Sequence, residues 1–167
     1  FNLKDAVTLN QVSLNLIKGQ KGTIIMFICN HCPFVVHIKD EIVKIANEYL
    51  KKGVGFVAIN SNDIVKYPED SPYNMLKFAV KYKFSFPYLF DETQKIAKAY
   101  GAACTPDFFL FDKNLKLIYR GQLDDSRPTN KKTVTGNDLR IALDRVVKEQ
   151  AQKKEQKPSI GCNIKWK

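Results

Sequence analysis

The chain has 167 residues, 44% of them hydrophobic and 26% charged, and its 27 basic and 17 acidic side chains give a formal net charge of +10. This length supports one hydrophobic core rather than two full-sized domains, and no apolar run reaches the roughly 20 residues that would insert into a membrane. The charge would suit nucleic acid, but almost all basic residues are lysines spread along the chain, so we expect a solvated surface and no nucleic-acid partner.

The first half of the chain predicts a βαβ unit. Short extended pieces precede a turn at residues 18–22, and residues 23–29 form an apolar, β-branched run typical of a strand buried on both faces. Apolar residues then recur at helical spacing from Phe34 to Tyr49. A second buried strand is predicted over residues 54–59.

The second half predicts a helix at 73–82, a short strand at 88–91, a short helix at 93–100 and a hairpin of strands 107–111 and 115–119. Thr135-Gly136-Asn137-Asp138 resembles a capping box that opens a last helix. We expect an α/β fold whose central mixed sheet carries helices on both faces, after an N-terminal extension. This arrangement resembles the thioredoxin fold.

The domain organisation follows from the composition of the C-terminal end. Residues 1–149 are expected to form one thioredoxin-like domain that includes the N-terminal β extension. Residues 150–157 are polar and lysine-rich and predict a linker. We expect the whole segment 150–167 to be this linker and a C-terminal tail that docks on the same domain.

Two cysteines stand where the first buried strand passes into the first long helix. Cys29 and Cys32 are close enough in the chain to form a disulfide, and a helix that begins at the pair favours a thiolate through its free N–H groups and macrodipole. His31 lies between them and can stabilise a thiolate by a hydrogen bond or a positive charge. The sequence therefore predicts a catalytic dithiol with His31 as a third member.

The same spacing also serves zinc. A tetrahedral zinc site needs four ligands, and the chain has no second cysteine pair, so His31 and His37 are the candidates to complete such a site. Four cysteines are many for inert core packing. We expect no metal and no other cofactor, and we keep the metal-binding or scaffold domain as an alternative.

Several motifs resemble the peroxiredoxin-like branch of the thioredoxin superfamily, which is related to alkyl hydroperoxide reductase and thiol-specific antioxidant proteins. These motifs are Cys29-Asn30-His31-Cys32-Pro33-Phe34-Val35, Gly101-Ala102-Ala103-Cys104-Thr105-Pro106-Asp107-Phe108-Phe109-Leu110-Phe111-Asp112, Tyr119-Arg120-Gly121 and Ile160-Gly161-Cys162-Asn163-Ile164-Lys165-Trp166. The resemblance implies that Thr105 and Pro106, joined by a cis peptide bond, face the dithiol and bind an extended substrate.

The resemblance leaves the order of attack open. The resemblance to thioredoxin-like proteins implies that Cys29 attacks and that Cys32 resolves the mixed disulfide. In this order Cys29 is expected to lie nearer solvent. In peroxiredoxins the peroxide-attacking cysteine precedes a proline, as Cys32 does here, and Pro33 would place Cys32 at the helix N-cap. The peroxiredoxin threonine three residues earlier is replaced by Cys29, and Arg120 is the arginine we nominate as the auxiliary charge.

The other two cysteines are candidates for auxiliary thiols. Cys104 lies two residues before Pro106, and it either relays a disulfide or packs as a small core residue. Cys162 lies in the tail beyond the lysine-rich linker. It is either a resolving or partner-bonding thiol or part of a packed tail anchor.

The sequence therefore predicts a thiol–disulfide oxidoreductase that forms mixed disulfides through Cys29 and Cys32. Its expected partner is a protein or low-molecular-weight thiol or disulfide, such as a thioredoxin-type electron donor or acceptor. A peroxide reductase with Cys32 as the peroxidatic cysteine is the first alternative. We expect a cytoplasmic location and keep an extracytoplasmic one as an alternative, because the sequence starts at Phe1 rather than at a methionine.

Overall fold

The computed structural model describes all 167 residues. The strands are β1 (Asn2–Asp5), β2 (Gln11–Ser13), β3 (Gly22–Phe27), β4 (Val54–Asn60), β5 (Tyr88–Phe90), β6 (Cys104–Thr105), β7 (Asp107–Asp112), β8 (Leu117–Gly121) and β9 (Cys162–Asn163). The α-helices are α1 (Leu14–Ile17), α2 (Pro33–Leu50), α3 (Pro72–Lys81), α4 (Lys95–Tyr100) and α5 (Asn137–Val147). None of these helices has the length and apolar character that crossing a membrane requires.

Seven strands form one mixed sheet in the order β2-β1-β5-β4-β3-β7-β8, and β6 and β9 form a separate two-stranded sheet. The strands β3, β4 and β5 run parallel, while β7 is antiparallel to β3 and β8 is antiparallel to β7. The strand β3 therefore lies in the interior of the sheet with a partner on each side. This position explains why all six of its residues are buried.

Alternate residues of β3 belong to opposite faces of the sheet, as the pleat of a strand requires. Ile24 and Met26 pack into the core that contains both Cys29 and Cys32. Ile25 and Phe27 pack into a second core on the other face. Buried side chains of α2, α3 and α5 join the first core, and side chains of α1 and α4 line the second. The predicted mixed sheet with helices on both faces is confirmed.

The start of α5 differs from its prediction. The capping box is wrong, because the N-cap residue is Gly136, in left-handed conformation with φ 67°, and no side chain caps the helix from that position. Asp124, from a distant loop, instead holds the two residues that precede the helix. Its Oδ2 accepts hydrogen bonds from the backbone N–H groups of Thr135 and Gly136 at 2.7 and 2.6 Å.

The C-terminal tail returns to the body of the protein. The strand β9 pairs antiparallel with β6, with Cys162 opposite Thr105 and Asn163 opposite Cys104. Ile164 is buried in the second core, and the backbone N–H of Asp63 donates a hydrogen bond of 2.8 Å to the carbonyl oxygen of Lys165. The sequence did not predict either of the two short strands of this second sheet.

Candidate active site at the Cys29–Cys32 dithiol

The dithiol lies in the connection between β3 and α2. Ile28 continues the pairing of β3, because its backbone N–H donates a hydrogen bond to Ile59 at 3.0 Å. Pro33 is the first helical residue, and Cys32 is the N-cap in extended conformation with φ −64° and ψ 122°. Proline disfavours helical geometry in the residue before it and suits the first helical position. The predicted N-cap position of Cys32 is confirmed.

Both cysteines of the pair are buried free thiols. The exposed fraction is 1% for Cys29 and 0% for Cys32. The expectation that Cys29 lies nearer solvent is therefore not confirmed, because neither thiol reaches the surface. Segments distant in sequence contact the dithiol connection, among them the loop that ends at Asp70 and the strand β6, with which the tail strand β9 pairs.

Thr105 contacts both sulfurs. The Thr105–Pro106 peptide bond is cis, as the resemblance implied. The Oγ1 of Thr105 lies 3.4 Å from the Sγ of Cys29, and its carbonyl oxygen lies 3.1 Å from the Sγ of Cys32. The structure thus brings the predicted substrate-binding residues directly to the dithiol.

His31 lies beside the pair and faces a carboxylate. Its Nδ1 lies 2.7 Å from the Oδ2 of Asp70, in a close contact that is not aligned as a hydrogen bond. The imidazole ring stacks on the ring of Tyr67, with centroids 5.5 Å apart and planes 7° from parallel. A ring nitrogen of His31, the Sγ of Cys29 and a carboxylate oxygen of Asp70 all lie within 4.8 Å of one another.

Asp70 is the site residue that sequence reasoning missed. Its side chain is fully buried, and it accepts hydrogen bonds from the backbone N–H of Asn30 at 2.8 Å and from the Nδ2 of Asn62 at 2.7 Å. Asn30 also accepts a hydrogen bond from the hydroxyl of Tyr88 at 3.0 Å. One signal could have found Asp70: it lies in the loop after β4, at the same carboxyl edge of the parallel strands as the dithiol.

The two thiols share one proton unequally. The pKa of Cys32 is lowered, first because the Cys29 thiol donates a hydrogen bond to its sulfur, and also because Cys162 and the backbone N–H of Val35 donate to it. The pKa of Cys29 is raised, first because it keeps the shared proton, and also because of its burial and the negative charge of Asp70. Cys32 is therefore the sulfur that ionises first.

Taken alone, the contacts of Thr105 favour ionisation of Cys29 before Cys32. Its carbonyl oxygen would accept a proton from the Cys32 thiol, and its hydroxyl can donate to a Cys29 thiolate. Such neutral hydrogen bonds contribute about 1 kcal/mol net. A thiolate at Cys29 within 4.8 Å of the Asp70 carboxylate would be opposed by about 3 kcal/mol at an effective dielectric constant near 20. The charge outweighs the hydrogen bonds and supports ionisation at Cys32.

The structure separates the two auxiliary thiols. Cys104 is buried, donates a hydrogen bond of 3.5 Å to the carbonyl oxygen of Pro106, and has its pKa raised to about 12 by burial. Cys162 is only partly buried and lies opposite Thr105 in the β6–β9 pair. Its side chain packs against the core that contains Cys32, and hydrogen bonding by Cys162 contributes to the lowered pKa of Cys32.

Arg120 does not serve as the charged partner of Cys32. Its guanidinium donates hydrogen bonds to the carbonyl oxygen of Gly101 at 2.6 Å and to the Oδ2 of Asp107 at 3.3 Å. It also covers the ring of Phe109, which belongs to the core on the other face of the sheet. The other three arginines also have partners. Arg127 donates to Gln122 and to backbone carbonyl oxygens, Arg140 donates to Glu41 and Glu48, and Arg145 donates to the carbonyl oxygen of Ala151. No guanidinium is therefore placed to orient a peroxide at Cys32.

The ligands suggested for zinc do not come together. The Nε2 of His37 lies 2.7 Å from the hydroxyl of Ser126, and Cys32 is not part of the group formed by Cys29, His31 and Asp70. That group offers three ligand atoms, whereas a structural zinc site takes four. Asp70 already accepts two hydrogen bonds that hold the loop.

Comparison with known proteins agrees with this architecture. A model of the Redoxin family matches residues 1–139. The crystal structure of an uncharacterized conserved protein from Geobacillus kaustophilus is 58% identical and superposes with a TM-score of 0.98, covering 100% of this chain and 88% of that chain.

A relative with an assigned function matches a smaller part of the chain. The thiol-disulfide oxidoreductase ResA of Halalkalibacterium halodurans is 26% identical over 107 residues, which are 64% of this chain and 56% of ResA. The chain thus spans little more than half the length of the curated relative that it matches.

A solved structure of lower identity has the same fold. The secreted Mycobacterium tuberculosis disulfide oxidoreductase homologous to E. coli DsbE is 17% identical, with a TM-score of 0.64 over 89% of this chain and 95% of that one. This likeness confirms the thioredoxin fold predicted from the sequence. Because the family model covers most of the chain, the chain belongs to the Redoxin family.

Proposed function

We propose that the chain is a thiol–disulfide oxidoreductase that exchanges disulfides with a protein or low-molecular-weight thiol through Cys29 and Cys32. The observation that carries this proposal is the position of Cys32 at the N-cap of α2, beside a second thiol that supplies a proton. A helix N-terminus stabilises a thiolate, and the thiolate is the reactive form in disulfide exchange. The similarity to ResA supports the same activity.

The reaction begins with the Cys32 thiolate. It attacks one sulfur of a partner disulfide, forms a mixed disulfide and releases the other partner sulfur as a thiolate, which takes up a proton. Cys29 then gives up its proton and attacks the Cys32 sulfur. This step forms the Cys29–Cys32 disulfide and releases the second partner thiol, so two electrons pass from the dithiol to the partner. The reverse sequence oxidises a partner dithiol.

Thr105 and Pro106 are the proposed substrate-binding residues. The carbonyl oxygen and hydroxyl of Thr105 both lie at the sulfurs, so a partner chain that paired with this backbone would present its own sulfur there. His31 and Asp70 are positioning residues for Cys29. The Asp70 charge opposes a Cys29 thiolate, which keeps the shared proton on Cys29 until the mixed disulfide has formed.

The peroxide-reductase alternative receives less support from this geometry. The threonine of the peroxiredoxin pattern is replaced by Cys29, and each guanidinium has other partners. The metal-binding or scaffold alternative lacks a fourth ligand. Thiol–disulfide exchange needs only the two sulfurs and the helix end, both of which the site provides.

Reduction of glutathione disulfide and of a protein disulfide, with dithiothreitol as electron source, tests the proposal. We expect turnover by the wild type, none above background by Cys32→Ser, and none by a chain that lacks Cys29 and Cys162 together. Cys104→Ser is the matched control and should keep its turnover, because Cys104 is buried and bonded to Pro106. Unchanged turnover in Cys32→Ser would refute the assignment. Rapid oxidation of Cys32 by hydrogen peroxide without any disulfide exchange would favour the peroxidase instead.

A further inference from the structure

The backbone edge that would bind a substrate is occupied by the chain's own tail. Cys162 lies opposite Thr105 in the antiparallel pair of β9 with β6. Backbone pairing at this residue is the arrangement proposed above for a partner chain. The tail therefore lies where a substrate strand would lie, with a cysteine at the residue opposite Thr105.

Gly161 allows the tail to approach this edge closely. A Cβ atom on Gly161 would lie 2.0 Å from the carbonyl oxygen of Thr105 and 3.0 Å from the backbone nitrogen of Pro106. Both of these atoms belong to the backbone, so neither can turn aside as a flexible side chain would. The observed position of the tail against this edge therefore requires glycine at residue 161.

The tail is also fixed on both sides of Cys162. Before it, the hydroxyl of Ser159 donates a hydrogen bond of 2.7 Å to the carbonyl oxygen of Gly121. After it, Ile164 is buried and Lys165 pairs with Asn62 and Asp63 through its backbone. The thiol of Cys162 is therefore held beside Cys32 by ordered contacts on either side.

We infer that Cys162 is a third redox cysteine, which exchanges with the Cys29–Cys32 disulfide to form a Cys32–Cys162 disulfide. This inference rests on the proposed function of the dithiol. Three observations carry it: the register of Cys162 with Thr105, the 3.1 Å approach of Cys32 to the Thr105 carbonyl oxygen, and the partial exposure of Cys162 beside two buried thiols.

The exchange needs no external oxidant. The Cys162 thiolate attacks the Cys32 sulfur, a Cys32–Cys162 bond forms as the Cys29–Cys32 bond breaks, and Cys29 leaves as a thiolate. The proton lost by Cys162 is taken up by Cys29, whose pKa is raised by its hydrogen bond to Cys32 and its burial. One disulfide is present before and after the step, so the oxidation state of the protein does not change.

The exchange replaces a buried disulfide by one that includes a partly exposed sulfur. Neither Cys29 nor Cys32 exposes more than 1% of its area, so a bulky thiol has little access to their disulfide. Cys162 is partly exposed, and attack on its sulfur in the Cys32–Cys162 disulfide would return Cys32 as a thiolate. Cys104 is unsuited to this role, because it is buried and its thiol donates a hydrogen bond to the carbonyl oxygen of Pro106.

The test begins with Cys29→Ser, in which Cys32 has lost its usual partner. Oxidation by trans-4,5-dihydroxy-1,2-dithiane, followed by thiol counting and peptide mapping under non-reducing conditions, should show the loss of two thiols per chain and a Cys32–Cys162 peptide. The double variant Cys29→Ser/Cys162→Ser should lose none. Cys29→Ser/Cys104→Ser is the matched control and should behave like Cys29→Ser. A pairing of Cys32 with Cys104, or no intramolecular disulfide in folded Cys29→Ser, would overturn the inference.

A second measurement on the wild type separates this inference from the proposed function. The wild type and Cys162→Ser should both form the Cys29–Cys32 disulfide, but Cys162→Ser should be reduced more slowly by a protein dithiol, with a loss of about tenfold expected if the exposed route dominates. Equal rates would refute the role of Cys162 while leaving the dithiol assigned. Failure of the wild type to form any disulfide would refute the proposed function itself.

Discussion

The buried carboxylate of Asp70 lies within 4.8 Å of the sulfur of Cys29. Hydrogen bonds from Asn30 and Asn62 hold this carboxylate in place. A negative charge at this distance disfavours a second one, so Asp70 adds to the hydrogen bond from Cys29 to Cys32 and to the burial that keep the proton on Cys29. The asymmetry of the dithiol thus depends on a residue about forty positions away in the chain.

Replacement Asp70→Asn should lower the pKa of Cys29, because it removes the charge and leaves a side chain of similar size. Thiolate absorbance of the reduced protein as a function of pH measures this change. The variant should also lose about 1.5–3 kcal/mol of unfolding free energy, since hydrogen bonds to a charged group are replaced by weaker ones. Asp40→Asn is the control, because Asp40 is exposed on α2. An unchanged thiol titration in Asp70→Asn would contradict the role given to its charge.

The reduction potential should respond to pH as a one-proton couple near neutrality. There the reduced protein carries a Cys32 thiolate and a Cys29 thiol, because the pKa of Cys32 is lowered and that of Cys29 is raised. Reduction then takes up two electrons and one proton, so the potential should fall by about 30 mV for each unit of rising pH. Equilibration with dithiothreitol at several pH values measures this slope. A slope of about 59 mV per pH unit would mean that both thiols are protonated.

The lowered pKa of Cys32 also predicts that the reduced protein is stabilised relative to the disulfide form. A thiolate whose folded pKa lies below its unfolded value adds stability that is present above the unfolded pKa and is lost as the pH falls through the folded pKa. The disulfide form has no such contribution. We therefore expect a potential above the roughly −270 mV of thioredoxin, and a value at or below it would show that the Cys32 thiolate is not stabilised.

Replacement Gly161→Ala should displace the tail from the Thr105 edge. The added methyl group would overlap the Thr105 carbonyl oxygen, so the variant should lose about 1–3 kcal/mol of stability. Its Cys29 and Cys32 should also react faster with a bulky aromatic disulfide reagent. Lys154→Ala, at an exposed position of the linker, is the control. If Gly161→Ala kept wild-type stability and thiol reactivity, the tail would not cover the site.

Asp124 should matter more for stability than its exposed neighbour Asp125. The carboxylate of Asp124 accepts hydrogen bonds from the backbone of Ser126, Thr135 and Gly136. Asp124→Ala leaves the buried N–H groups of Ser126 and Gly136 without a partner, and we expect a loss of about 2–4 kcal/mol in urea unfolding. Asp125→Ala should cost less than about 1 kcal/mol, because its ion pairs are exposed. Equal losses in the two variants would contradict the role of Asp124 in holding the turn before α5.

Local sequence patterns were sufficient for the fold and for the position of the dithiol. Two apolar runs with a helical repeat between them predict the strands and α2, and Pro33 places Cys32 at the N-cap. The burial of Cys29 and the charge of Asp70 could not be predicted in the same way. They depend on a loop and a tail that come from distant parts of the chain. The capping box failed for the same reason, because the distant Asp124, rather than the local Asp138, accepts the hydrogen bond from the backbone N–H of Thr135.

The central claim is that Cys32 attacks and Cys29 resolves. Trapping of the mixed disulfide with glutathione disulfide tests it most directly, in variants that also carry Cys162→Ser so that the tail cannot resolve the intermediate. With Cys29→Ser we expect a stable adduct of one glutathione per chain on Cys32, identified by peptide mapping. With Cys32→Ser we expect no adduct at Cys29. A stable adduct on Cys29 in the Cys32→Ser chain, and none on Cys32 in the other, would contradict the account.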